Sequence, residues 1–289
     1  MRRIVWLASF PKSGNTWTRA FLGSYLSPPG QAVSINELSS ITTFDARQDW
    51  HDLAIGKPFV GKTLDDSLVL RPKIQRMIAA SRPGSRFVKT HSKMGRVGEV
   101  DLILPEVTAA AIYIMRNPFD VSVSYARHNN LSVDDAIQRM CDPMNLNSTE
   151  TLIFDCLGRW DEHIQGWTTA PGLARHVMRY EDMVENPKKA FQGLLAFLKV
   201  PIDPKKLRHS LKATSFKELQ RQERQKGFKE KPKHAKSFFV SGKAGGWKDE
   251  LTVEQVETLR TEFADTLEKY FPEVVKEADA FIAQENPVQ

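Results

Sequence analysis

The sequence predicts an α/β fold, a central parallel β-sheet flanked by helices. Short, continuously apolar runs recur along the chain, as in strands buried on both faces of a parallel sheet. Each run is followed by a helical pattern rather than by a second strand. No internal repeat or low-complexity segment interrupts the alternation.

The first run is Ile4-Val5-Trp6-Leu7. Pro11, Ser13 and Gly14 break it. From Thr16 to Leu26, Trp17, Ala20, Phe21 and Tyr25 recur at helical spacing. Residues 28–62 show no clear period. Ser85–His91 reads as a short strand around Phe87 and Val88. Ala109–Met115 is a strongly apolar strand, and Asn117-Pro118 opens a helix to about His128. Pro118 suits the first helical turn, where its missing N–H costs nothing. Helices are predicted near 131–140 and 150–168, a strand over Ala174–Arg179, and short helices over 187–198, 204–212 and 215–225. Val253, Val256, Leu259, Phe263, Leu267 and Phe271 predict an amphipathic C-terminal helix over about 252–271. Residues 1–289 are expected to form one domain.

The chain has 289 residues, 41% hydrophobic and 26% charged, which excludes disorder as the main state. No apolar run reaches the length of a membrane span. Cys141 and Cys156 are the only cysteines, too few for a disulfide framework or a four-cysteine zinc site. No metal-ligand cluster stands out, so no metal is expected. The stretch Ile4–Phe10 is short for a signal peptide, and a cytoplasmic location is expected. Lys+Arg number 41 and Asp+Glu 35, a net charge of +6 that points to anionic partners without choosing among them. Arg221–Lys236 holds seven Lys or Arg and two Glu. It reads as a flexible basic loop over about 221–238, solvated or closing as a flap over an anionic ligand.

Two segments qualify as phosphate loops. Gly56-Lys57-Pro58-Phe59-Val60-Gly61-Lys62-Thr63 matches G-x-x-x-x-G-K-[ST], but the buried strand a working loop needs is missing before Gly56. Pro11-Lys12-Ser13-Gly14-Asn15-Thr16-Trp17 has the strand, the tight turn and the helix. Unpaired N–H groups at the helix N-terminus favour an anion there. Lys12 adds a full charge, and Ser13 and Thr16 add hydroxyl donors.

Pro11–Trp17 resembles the 5′-phosphosulfate loop of the cytosolic sulfotransferase family, usually Pro-Lys-Ser-Gly-Thr-Thr-Trp, with Asn15 in place of the first Thr. These enzymes use 3′-phosphoadenosine 5′-phosphosulfate (PAPS) and release the product nucleotide PAP. Phe87-Val88-Lys89-Thr90-His91 resembles the family's Lys-Thr-His segment. Residues i and i+2 of a strand share a face, so Lys89 and His91 aim at one site. A neutral His is a suitable base for a hydroxyl proton. Tyr113–Tyr125 resembles the 3′-phosphate segment, which implies Arg116 and Ser124 as its phosphate ligands. The planar fork of Arg suits a phosphate. Val177–Asp182 and Thr214-Ser215-Phe216 resemble the adenine-contacting segments, which implies Tyr180, Thr214 and Phe216. Trp17 and Phe216 would sandwich the base.

Gly242-Lys243-Ala244-Gly245-Gly246-Trp247-Lys248 is similar to the family's Arg-Lys-Gly-x-x-Gly-Asp-Trp-Lys, but departs from it. Val240 and Ser241 hold the Arg and Lys positions, and Gly246 replaces Asp. Gly242 and Gly245 keep their register, and Lys243 or the basic run could compensate. Lys248–Glu257 matches the family's short dimer motif, which implies a homodimer. Read as a plain helix start, the same segment makes Thr252 an N-cap.

The resemblance implies a P-loop-kinase-like sulfotransferase fold and PAPS-dependent sulfuryl transfer to a hydroxyl or amine of a small-molecule acceptor. His91 would be the base, and Lys12, Lys89 and Ser124 would complete the catalytic set. Lys12, Ser13, Gly14, Asn15, Thr16, Trp17, Arg116, Ser124, Tyr180, Thr214, Phe216, Gly242 and Lys243 would hold the nucleotide. Neither nucleic acid nor a membrane is expected as a partner. The alternatives are a P-loop kinase using Gly56–Thr63 and a non-catalytic PAP- or polyanion-binding protein.

Overall fold

The computed structural model describes residues 3–28, 34–60, 63–149 and 152–285. Five strands form the central sheet: β1 Ile4–Ser9, β2 Thr42–Phe44, β3 Arg86–Thr90, β4 Thr108–Met115 and β5 Arg175–Arg179. Their order is β2-β3-β1-β4-β5, and every pairing is parallel. β1 is buried along its whole length, hence its unbroken apolar run. Its side chains alternate between two cores. Ile4, Trp6 and Ala8 join Tyr113, Trp160 and Trp167 on one face. Val5 and Leu7 join Phe21, Ile112, Phe191 and Leu194 on the other. Each fully buried large side chain contributes about 1.5–3 kcal/mol to folding.

β1 lies between β3 and β4, so the chain departs from it to both sides. Ligand crevices in open parallel sheets lie outside the strands' carboxyl ends at such a switch point. Pro11–Gly14, His91 and Arg116 follow the carboxyl ends of β1, β3 and β4.

Several elements differ from the sequence-based expectation. The helix expected over 252–271 is three helices, Val253–Glu262, Ala264–Tyr270 and Pro272–Glu285. The chain turns at Phe263 and Phe271, both fully buried, and both rings pack on Trp160. Pro272 opens the third helix because it has no N–H to continue the second. The helix expected over 150–168 is only Trp160–Thr169. Gly158 interrupts it at φ +64°, and Asp155–Cys156 pairs with Leu146–Asn147 as a short antiparallel ribbon. The unperiodic stretch before residue 62 contains β2 and a helix, Gln48–Ile55.

Gly56 is the left-handed C-cap of that helix, so a helix rather than a strand precedes the Gly56–Thr63 match. Gly61 and Lys62 lie outside the described residues. A second helix starts after Thr63, with Thr63 and Asp66 forming a capping box. With a helix in place of the buried strand before Gly56, the kinase reading is set aside.

Candidate functional site

The turn after β1 is tight. Lys12 has φ +70° and Gly14 φ +107°, and helix Asn15–Leu26 starts at once. A Cβ on Gly14 would stand 2.9 Å from the Tyr180 ring, so this position demands glycine. Asn15 donates its side-chain amide to Leu7 O at 2.9 Å and to Ser9 Oγ at 3.4 Å, tying the loop to the strand. Thr16 and Trp17 are half-buried. Ser13 Oγ, Trp17 Nε1 and Arg116 Nε are buried donors with no partner in the protein. Unmet buried donors are costly, and together they fit a polyanionic, hydrogen-bond-accepting group.

The register of β3 on β1 places His91. Ala8 faces Thr90, so the next residues, Ser9 and His91, meet beyond the pair. His91 Nδ1 lies 2.7 Å from Ser9 O. A carbonyl only accepts, so Nδ1 carries the hydrogen and Nε2 is the basic nitrogen. Burial, and then the Lys89 cation, push the His91 pKa well below its ordinary value. The imidazole is therefore neutral at pH 7. Lys89 pairs across strands with Phe44, and its Nζ sits 4.7 Å from that ring's centre. The His91 ring meets the same Phe44 edge to face at 5.9 Å. Lys89 and His91 thus converge as the strand period predicts.

Lys12 is held among cations. Burial first, then Arg116 and Lys89, lower its pKa to about 7. Its Nζ lies 3.9 Å above the Phe238 ring and 3.4 Å from His128 Nδ1. Ser124 is half-buried on helix Pro118–Asn129, one turn after Asp120 and one turn before His128. That spacing puts all three on one face.

Arg116 donates to Lys12 O at 3.3 Å and to Lys243 O at 3.1 Å. Its guanidinium lies 4.2 Å above the Tyr180 ring. Tyr180 is buried beneath the loop, edge-on to Trp17. Asp120 organises the glycine-rich segment, accepting from Gly245 N at 2.9 Å and Trp247 N at 3.2 Å. A Cβ on Gly242, at φ +66°, would fall 2.2 Å from the Phe216 ring. Phe216 and Trp17 border one apolar cluster of Ala20, Ile35, Leu38, Leu219, Phe228 and Phe239. Thr214 is buried, with its hydroxyl donated to Ser210 O at 2.8 Å. Lys243 is exposed, and its carbonyl rather than its ammonium meets Arg116.

The basic run differs most from its sequence reading. Arg221–Lys226 ends helix Phe216–Lys226. Beyond it, Phe228 and Phe239 are buried, and the buried Glu223 accepts from Phe238 N and Phe239 N. The other acidic residue of the run, Glu230, reaches back to two cations. It pairs with Arg19 through two bonds of 2.8 and 2.9 Å and stands 3.7 Å from Lys89. Burial opposes its charge, but Lys89 and Arg19 prevail and hold the carboxyl down at about 2. Lys229, Lys233 and Lys236 are exposed.

Sequence reasoning assigned no role to Ser9, Asp120, His128, Glu230 or Arg19. Only Asp120 had a usable signal, its place one turn after Arg116 behind the cap Asn117. Thr252 is an N-cap with a capping box to Gln255, and Lys248 pairs within the chain with Glu277 at 2.9 Å. Among the described residues no group of three or more His, Cys, Asp or Glu could hold a metal ion.

The chain matches the sulfotransferase domain family over residues 2–271. It is 26% identical over 270 residues to sulfotransferase 1A1 of Bos taurus, covering 89% of this chain and 81% of the relative. It is 26% identical over 274 residues to flavonol 3-sulfotransferase of Flaveria bidentis, covering 88% and 78%. Retinol dehydratase in complex with androsterone and PAP superposes with a TM-score of 0.66 at 19% identity, over 92% of this chain and 81% of that one. A mouse sulfotransferase complexed with PAP gives 0.60 at 16% identity, over 98% and 90%. These structures share the fold, a five-strand parallel sheet between helices with a phosphate-type loop after its first strand. With the family's pattern running through nearly its whole length, the chain belongs to the sulfotransferase domain family and is a sulfotransferase.

Proposed function

We propose that the enzyme moves a sulfuryl group from PAPS to a hydroxyl or amine of a small-molecule acceptor, with His91 as base. The observation that carries this reading is the Nδ1–H bond of His91 to Ser9 O, which leaves Nε2 as the basic nitrogen of a neutral imidazole close to Lys89. PAPS would supply an electrophilic sulfur and a phosphate leaving group. His91 Nε2 takes the acceptor's proton as the acceptor oxygen or nitrogen attacks in line. Lys12 neutralises charge growing on the leaving oxygen, and Lys89 orients the sulfuryl group. Ser13, Gly14, Asn15 and Thr16 would hold the 5′ end through the helix N-terminus. Arg116 and Ser124 would hold the 3′-phosphate, with Gly242 and Lys243 beside them. Trp17, Tyr180, Thr214 and Phe216 would enclose the adenine.

Radiolabelled PAPS screened against alcohols, phenols and amines tests the reading. Label transfer by wild type and none by His91→Ala is expected. Binding of PAP without transfer to any acceptor would leave only the non-catalytic alternative.

Residues 1–289 are proposed to act as one domain in the cytoplasm. No helix among the described residues is long and apolar enough to cross a membrane. Lys248–Glu257 is proposed to pair two copies. Glu257 is exposed, and Lys248 must exchange Glu277 for it. A sedimenting dimer that Glu257→Lys converts to monomer is expected, and a monomeric wild type ends the idea.

A further inference from the structure

Helix Trp160–Thr169 lies against the sheet and carries no residue assigned to donor or acceptor. One face of it, at positions 160, 163 and 167, presents three ring N–H groups. Trp160 Nε1 donates to Arg116 O at 3.3 Å, His163 Nε2 to His91 O at 3.0 Å, and Trp167 Nε1 to Ser92 O at 3.1 Å. All three side chains are 0% exposed. The three acceptors are backbone carbonyls just beyond the carboxyl ends of β3 and β4, where the ladder hydrogen bonds have run out. The base and the guanidinium assigned to the 3′-phosphate are thus anchored from one rigid element.

His163 has a single consistent protonation. Its Nε2 faces a carbonyl, so Nε2 carries the hydrogen. Nδ1 then accepts from the Tyr113 hydroxyl at 2.8 Å. Tyr113 stacks on Trp167, and Phe10 meets the His163 ring edge-on. A leucine here would leave the buried Tyr113 hydroxyl and the His91 carbonyl without this partner, so the polar pair is a satisfied network. What it satisfies is the carbonyl of His91, whose ring is tied at its other end to Ser9 O.

We propose that His163 is a positioning residue: through the backbone carbonyl of His91 it sets where the imidazole stands, with Trp160 and Trp167 fixing the neighbouring strand ends. The inference rests on His91 being the base. The charged and titratable groups facing His91 are Lys89 on its own strand, His128 from helix Pro118–Asn129, Glu230 from the basic run and His163 itself. None of them changes in the variants below except His163.

The test compares His163→Leu, His163→Gln and Tyr113→Phe in the full chain. It reads kcat, the KM for PAPS, the melting shift with PAP, and the pKa of the His91 ring by NMR titration. The Gln amide reaches the place of Nε2 and can donate to His91 O. Misplacing a base costs on the order of 10²-fold in rate. His163→Leu should lose about that much in kcat. Its KM for PAPS and PAP shift should stay as in wild type, and the His91 pKa should move from its wild-type value, because the bond to Ser9 O that raises it is lost. His163→Gln should keep most of kcat and the low His91 pKa.

Wild-type kcat and an unmoved titration in His163→Leu overturn the proposal, as does an equal loss in His163→Gln. If the Leu variant does not fold, Tyr113→Phe decides. It removes the donor that fixes the tautomer, so kcat should fall and the His91 pKa should move from its wild-type value, and wild-type values for both overturn the proposal. A shifted His91 pKa with intact kcat keeps the positioning and removes His91 as base, which separates the two failures.

Discussion

Glu230 stands 3.7 Å from Lys89, and it does so while bonded twice to Arg19. The basic run therefore places a carboxylate against one of the cations assigned to the transferring group. Glu230→Gln removes that negative charge and leaves Lys12, Lys89 and Arg116 in place. PAP should bind several-fold tighter, by a margin that shrinks with salt. The apoprotein should lose about 1–2 kcal/mol, because Arg19 is 4% exposed and loses its partner while Glu230 itself is 36% exposed. Calorimetric titration at two salt concentrations checks both. Weaker PAP binding in the variant would show that Glu230 helps the nucleotide rather than competing with it.

Lys12 titrates at about 7 in the free enzyme because it is buried among cations. A bound polyanion reverses that balance and raises its pKa. At pH 8 free Lys12 is mostly neutral and bound Lys12 mostly protonated, so PAP binding should take up close to one proton. At pH 6 the uptake should vanish. Calorimetry in buffers of different ionisation enthalpy measures it. No uptake at pH 8 would mean that Lys12 is already charged in the free enzyme or stays away from the phosphate.

His91 is held neutral by burial and by Lys89. A base with a lowered pKa stays active as pH falls, and is lost only when pH drops through that lowered value. At saturating PAPS, where Lys12 is already protonated, the kcat/KM profile for the acceptor should therefore be flat from pH 8 to below the ordinary His value of about 6.5. His91→Ala should abolish turnover and keep the PAP melting shift. An acid limb at pH 6.5 in wild type would contradict the lowering of the His91 pKa by burial and Lys89.

Arg116→Ala removes the guanidinium bridge between Lys12 O and Lys243 O. The melting shift produced by PAP should shrink to a small fraction of that of wild type. An unchanged shift would exclude Arg116 from the site.

Gly242→Ala tests the closeness of the glycine-rich segment to Phe216. The new methyl would sit 2.2 Å from the ring at φ +66°, so ring or backbone must move. The left-handed conformation alone costs about 1–2 kcal/mol, and PAP affinity should fall. Measured stability and affinity equal to wild type would place Phe216 outside the adenine site.

β1 and β4 were legible as long apolar runs closed by polar or turn-forming residues, and β3 and β5 from the short apolar pairs Phe87-Val88 and Val177-Met178 at their centres. β2 was not, since Thr42–Phe44 has too few residues to display a period. The helix Leu64–Ala80 hides behind its polar residues and an internal Pro72. Lys12, Lys89, His91 and Arg116 converge because they follow or sit on neighbouring strands, which motif order conveys. Glu230 was invisible because a charge count gives the sign of a segment and not which side chain turns inward. His163 reads as an ordinary core residue at helical spacing. Only the carbonyl it meets, 72 positions earlier in the chain, distinguishes it.

The exposed Lys229, Lys233 and Lys236 and the inward Glu230 act over different distances. An approaching sulfated nucleotide first meets the lysines, whose field reaches about one Debye length, roughly 8 Å in physiological salt. Only on contact does it meet the carboxylate. On the proposed site this arrangement should speed arrival and shorten residence, the combination that suits an enzyme obliged to discharge a spent nucleotide before each new cycle.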